Sequence, residues 1–225
     1  MNEIQENPGS LEKLKPGFDQ LREAHLADPM PGLETRRDRL QRLLKCLEER
    51  EEAFIQAISK DFGQRSAFET ANYDITVTLA DIKYQIRNLA RWMRIRKRSV
   101  PLHLMPGRAR IVPQPLGVVG VISPWNFPVF LSLSPVAGAI AAGNRVMIKP
   151  SEWTPKTSAL LAELASEAFE PDEFAVFEGG IETGRAFAEL PFDHLLFTGS
   201  TRVAKEVSNS AAKNQTPLTL ELAGK

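Results

Sequence analysis

Four short stretches in the second half of the chain carry residue types able to do chemistry. Asn126 lies in Pro124-Trp125-Asn126-Phe127-Pro128, and Lys149 and Glu152 lie in Lys149-Pro150-Ser151-Glu152. Gly199 and Ser200 end Phe197-Thr198-Gly199-Ser200, and Glu221 sits within Leu220-Glu221-Leu222. An amide in a loop braced by two prolines can donate to a developing oxyanion, although Asn also closes Asx turns with no ligand. Lys149 and Glu152 can hold sugar hydroxyls, or can form an exposed turn that needs none. Gly-Ser-Thr ahead of a helix offers N–H groups and a hydroxyl to a phosphate, and is equally a common N-cap turn. Glu221 is a candidate general base with its proton affinity set by burial; the alternative is a strand-end carboxylate facing solvent.

The elements that must position these groups read as strand, loop, helix, strand. Gly117 to Ser123 is a short apolar run, and small residues from Ala137 to Ala142 lead to Gly143, which suits a helix stop. Val146-Met147-Ile148 is a second apolar run ending at Lys149. Thr154-Pro155 reads as an N-cap with proline in the first helical turn. Further strands are expected at 174–177, 194–197 and 218–221, with helices over 181–190 and 201–213 between them. About five strands alternating with helices predict an α/β fold: a doubly wound, Rossmann-like parallel sheet. Ligands of such sheets bind beyond the carboxyl ends of the strands, which is where all four stretches fall.

The first half is helical by its periodicity. Residues 1 to about 15 are expected to fray, with Pro8-Gly9 and Pro16-Gly17 as breakers and a short helix over 18–26. Leu40, Leu43, Leu44, Leu47, Phe54, Ile55 and Ile58 recur at helical spacing over 34–59, with Arg36, Arg37, Arg39 and Arg42 expected to face water. Ile75, Leu79, Ile82, Ile86, Leu89 and Met93 predict a long amphipathic helix packing on it. Its basic end, Arg87 to Arg98, is read as a solvated helix terminus in preference to a nucleic-acid patch. The proline-rich stretch 100–116 is an extended connection. The expected organisation is therefore a helical region at 1–99, the connection at 100–116, and an α/β unit at 117–225.

Composition narrows the function. With 225 residues, 43% hydrophobic and 25% charged, the chain can fill a sizeable core. Its formal net charge of zero argues against nucleic acid as a partner. No apolar run is long enough for a membrane span, and the polar N-terminus is unlike a signal peptide. The single cysteine, Cys46, suits a reducing, cytoplasmic setting and reads as a packing residue in a helix. The histidines at 25, 103 and 194 have no ligand spacing, so no metal site is expected.

In their order, the motifs Pro-Trp-Asn-Phe-Pro, Lys-Pro-Ser-Glu, Phe-Thr-Gly-Ser and Glu221-Leu222-Ala223-Gly224-Lys225 resemble the aldehyde dehydrogenase superfamily. The segments Ala67-Phe68-Glu69-Thr70, Arg91-Trp92-Met93 and 190–200 are most similar to coniferyl aldehyde dehydrogenases, on the class 3-like branch. The resemblance implies an NAD-dependent oxidoreductase converting an aldehyde, coniferyl or another aromatic one, to its acid. By it, Asn126 donates to the oxyanion, Glu221 activates water, Lys149 and Glu152 hold the adenosine ribose, and Trp125, Gly199 and Ser200 lie along the pyrophosphate. A carboxylate at 152 leans toward NAD, with NADP left open. A non-catalytic NAD-binding or assembly module, or a degenerate remnant, is the alternative.

Three departures qualify the resemblance. The family's nucleophilic cysteine falls beyond Lys225, so this chain alone is expected not to oxidise aldehydes. Ala204 and Ala223 replace glycines of the usual motifs, with crowding expected at the first and backbone strain at the second. Full-length relatives are expected to be homodimers, and exposed edges of the 225-residue chain to promote self-association.

Overall fold

The computed structural model describes residues 8–222. Helix α1 (Pro8–Ala27) runs unbroken through Pro16 and Gly17, so those residues are not breakers. Leu14, Phe18 and Leu21 share one buried side. Pro16 is exposed on the other, where water can satisfy the carbonyl freed by its missing N–H. Gly17 is needed for contact: a Cβ there would lie 2.5 Å from the ring of Phe177. Of the residues expected to fray, 1 to about 15, residues 8–15 are helical instead, and residues 1–7 lie outside the described residues.

The expected single helix over 34–59 is two, α2 (Leu33–Glu49) and α3 (Glu51–Phe62), broken at Arg50. Gly63, at φ +84°, ends α3. A short helix α4 (Ala67–Thr70) passes through a π-helical turn, Ala71–Ile75, into α5 (Thr76–Trp92). α5 packs on α2. The basic segment after it is not a helix end: Arg96–Arg98 form strand β1, antiparallel to β2 (Ala109–Ile111).

Two of the four arginines expected in water are buried. Arg36 donates to the carbonyls of Pro31 (2.8 Å) and Ala142 (2.7 Å). Arg39 donates to Glu173 at 2.7 Å, and Arg42 joins the same carboxylate at 2.9 Å. Burial alone would raise the pKa of Glu173, but hydrogen bonds from Arg42 and Arg39 outweigh it and hold the carboxyl below its usual range.

Strand β3 (Val118–Ile122) leads through α6 (Phe130–Ala141) to β4 (Arg145–Lys149), and through α7 (Pro155–Ala168) to β5 (Phe174–Val176). The chain returns through α8 (Ile181–Ala188) to β6 (His194–Gly199), then α9 (Thr201–Ala212) and β7 (Leu218–Leu222). All five strands are parallel, in the order β5-β4-β3-β6-β7. This is the expected doubly wound sheet, and its order reverses between β3 and β6.

Strand alternation divides the core into two layers. Val119, Val121, Val146 and Ile148 pack with α2, α3, α5, α6 and α7. Val118, Met147, Leu195 and Phe197 face α1, α8 and α9. The N-terminal helices thus cover both faces of the sheet. No helix among the described residues is long and apolar enough to cross a membrane.

Candidate cofactor and active site

The register places the four motifs along one edge. Lys149, the last residue of β4, lies opposite Ile122, the last of β3, and Ile122 lies opposite Phe197 of β6. Thr198 lies opposite Glu221 of β7. From β4 to β7 is three strand spacings, roughly 14 Å. Asn126 follows β3, Glu152 follows β4 and Ser200 follows β6, so all the predicted site residues stand at the carboxyl ends of neighbouring strands.

The first contribution comes from the loop after β3. Arg65 stacks between two rings, 4.9 Å from the Phe62 centroid and 4.8 Å from that of Phe127. Its guanidinium donates to the backbone carbonyl of Asn126. Trp125 also packs against Phe62, with ring centroids 5.9 Å apart. The Asn126 side chain is exposed and makes no hydrogen bond with the described residues, so it is not consumed in an Asx turn. Arg65 lies in a turn that carried no sequence signal.

At the other end of that loop, buried Asp74 accepts the N–H of Phe130 through Oδ1 at 2.6 Å. Burial pushes its pKa up to about 6, against the pull of that hydrogen bond and of Arg65. Asp74 occupies the π-helical turn, a feature often found at functional positions.

Lys149 and Glu152 form an ion pair, Nζ to Oε2 at 2.6 Å. The side chain of Lys149 turns toward the α8 face: a Cβ on Gly184 would lie 3.9 Å from its Cε. The pair therefore presents a fixed donor and acceptor beside α8. Thr154 does not cap α7 as its sequence position suggested. Asp61, from the end of α3, accepts the N–H groups of Lys156 (3.1 Å) and Thr157 (2.9 Å) and the Thr157 hydroxyl (2.8 Å). Asp61, Phe62, Trp125, Trp153 and Thr154 line a cleft of about 490 Å³ at this edge. A cleft of about 540 Å³ that includes Lys15, Arg22 and Asp193 lies at the opposite edge, away from these groups.

Ser200 is the N-cap of α9, its hydroxyl accepting from Val203 N–H at 3.4 Å. Ala204 is buried among the residues under β6, where its methyl joins the core. Ala223 lies outside the described residues. Glu221 departs from the expectation of a buried base: β7 is the sheet's edge strand and the residue is exposed. Glu178, beyond β5, is held above the ordinary carboxylate range by burial and by the charge of Glu163; no motif had marked it. Cys46 is buried in the α2–α7 layer, and burial raises its thiol pKa. It is a packing residue.

An exposed amide, an ion pair and a helix N-terminus stand at the reversal point of a parallel sheet, where sheets of this kind bind their ligands. The sequence profile of the aldehyde dehydrogenase family matches residues 27–225, and the chain belongs to that family. It is 48% identical over 222 residues to a probable coniferyl aldehyde dehydrogenase of Pseudomonas aeruginosa, a match covering 99% of this chain and 47% of the relative. Its fold matches that of substrate-bound Staphylococcus aureus AldH with a TM-score of 0.91, at 34% identity, over 94% of this chain and 46% of that one. A Mycobacterium tuberculosis aldehyde dehydrogenase complexed with NAD+ matches with a TM-score of 0.84, at 30% identity, over 96% of this chain and 44% of that one. The chain thus spans about half the length of the relatives it matches.

Proposed function

We propose that this chain carries the cofactor-binding part of an NAD-dependent aldehyde dehydrogenase acting on an aromatic aldehyde of the coniferyl type, with the α/β unit at 117–225 as the cofactor domain. The observation that carries the reading is the shared edge: Asn126, the Lys149–Glu152 pair, Gly199-Ser200 and Glu221 follow or end four adjacent parallel strands. The similarity to the Pseudomonas aeruginosa protein supports the substrate class.

The residues present suit NAD. Lys149 would donate to and Glu152 accept from the adenosine ribose hydroxyls, and their 2.6 Å contact holds the two groups side by side. The carboxylate disfavours a 2′-phosphate, so NAD is preferred over NADP. Ser200 and the first N–H groups of α9 receive the pyrophosphate, with Trp125 and Gly199 beside it. Bound there, NAD supplies the hydride acceptor.

The remaining groups serve the aldehyde carbon. The Asn126 amide donates to the oxygen that becomes negative as the carbonyl is attacked. Glu221 accepts a proton from the water that releases the acid. The attacking thiolate is not Cys46, which is buried away from the strand ends with its thiol pKa raised.

Calorimetric titration of the 225-residue chain with NAD tests the reading. Binding in the micromolar range without NADH formation from an aromatic aldehyde is expected. Absence of NAD binding would identify a degenerate remnant, and steady NADH formation would require a different nucleophile.

A further inference from the structure

The assignment of Asn126 as oxyanion donor leaves open what holds it, since its loop is exposed at Trp125 and Asn126. The answer lies in the segment joining α3 to α4. The Arg65 side chain is only 6% exposed, and its one ion pair among the described residues is with Glu69, which is half exposed, at 3.4 Å. The planar guanidinium fills the space between the rings of Phe62 and Phe127, each under 5 Å away. In that position its fork reaches the Asn126 carbonyl. The contact is to the backbone of the residue proposed to react, and the upper ring belongs to the next residue in the chain.

We propose that Arg65 is a positioning residue that sets the direction of the Asn126 amide by clamping the backbone of its loop to the end of α3. The proposal rests on the oxyanion role assigned to Asn126. Three features make it specific to arginine. A flat cation can stack on two aromatic faces at once, it keeps donors in its plane while doing so, and it is weakly hydrated enough to be enclosed. Lysine retains the charge and loses all three properties. Asp74 fixes the far end of the loop at Phe130, so Arg65 governs the segment between Ser123 and Phe127. Gly63, at φ +84°, turns the chain after Phe62 toward Arg65.

Backbone ¹⁵N relaxation of the 225-residue chain tests this without substrate or cofactor. In the unaltered chain, order parameters at Trp125, Asn126 and Phe127 are expected near about 0.85, as for rigid backbone. Arg65→Ala and Arg65→Lys are both expected to lower them below about 0.6, with α6 and the sheet unchanged. Phe127→Leu, which removes one ring and keeps the cation, is expected to give an intermediate loss. If Arg65→Ala fails to fold, the other two variants decide. Order parameters unchanged in both Arg65→Lys and Phe127→Leu would overturn the clamp, even if thermal stability fell. The oxyanion assignment would survive that result, because the measurement reads loop order and not chemistry. An ordered loop that responds to Arg65, with no loss of turnover on Asn126→Ala in an active full-length relative, would instead remove the oxyanion role.

Discussion

Asp74 accepts the N–H of Phe130 at 2.6 Å, a carboxylate of the N-terminal helices placed on the first turn of a helix that leaves the sheet. The group is buried, and its second oxygen has no partner among the described residues. Its pKa is raised from 3.8 to about 6, with burial as the main cause.

That relationship makes stability depend on pH. A carboxyl with a raised folded-state pKa binds its proton more readily folded than unfolded. Its favourable contribution is complete below about pH 4 and is lost as pH rises through about 6. The loss is on the order of 3 kcal/mol. Asp74→Asn retains an oxygen acceptor for Phe130 and removes the titration. Thermal unfolding across this range should show the unaltered chain losing stability relative to Asp74→Asn as pH rises. Parallel curves for the two proteins would exclude a buried, titrating Asp74.

Glu173 receives Arg39 and Arg42, and the side chain of Arg39 is 6% exposed. Glu173→Ala leaves an enclosed guanidinium without its counter-charge, a change expected to cost about 3–5 kcal/mol. Urea unfolding followed by circular dichroism measures it. Because the folded-state pKa of Glu173 is depressed, its contribution is present above the unfolded value and lost as pH falls through the folded one. Its pH dependence thus opposes that of Asp74.

Gly143 has φ +90°, and a Cβ there would lie 2.5 Å from Cζ of Arg36. Gly143→Ala combines backbone strain with displacement of the arginine that closes α6, at an expected cost of at least about 1–3 kcal/mol. Gly138, within α6, has nothing within 4 Å of an added Cβ. Gly138→Ala should stabilise the same helix by about 0.5–1 kcal/mol. Opposite shifts in urea midpoint would bear out both statements.

Glu152→Ala removes the acceptor paired with Lys149. Loss of a charge-assisted hydrogen bond to a ribose hydroxyl should weaken NAD binding about 10–100-fold. It should also narrow any preference over NADP, since the repulsive carboxylate is gone. Titrations with both dinucleotides read the two effects separately. Equal affinities before and after the substitution would remove Glu152 from the cofactor site.

The sheet and its motifs were legible because buried parallel strands are apolar runs, and polar residues beyond them stand out. The long-range polar contacts were not. Arg36 lies at helical spacing from Leu40, Leu43 and Leu47, so the signal of a buried position was present, but periodicity cannot name the carbonyls that accept its charge. Thr154 occupied an N-cap position, yet the cap comes from Asp61, in another helix. Pro16 looked like a breaker because sequence does not show which side of a helix faces water. Glu221 looked buried because its strand is apolar, and only the strand order places it at the edge.

Asp61 and Asp74 have a joint consequence for where a phosphate-bearing ligand can go. The positive poles of α6 and α7 already hold resident anions, supplied by helices from the first third of the chain. A phosphate approaching either pole meets a negative charge and no free amides. The pole of α9 is guarded only by the neutral hydroxyl of Ser200. Of the four helix starts along this edge, those of α6 and α7 are thus occupied from within the chain, which on the proposed reading points a phosphate-bearing ligand to the opposite side of the sheet, toward Lys149.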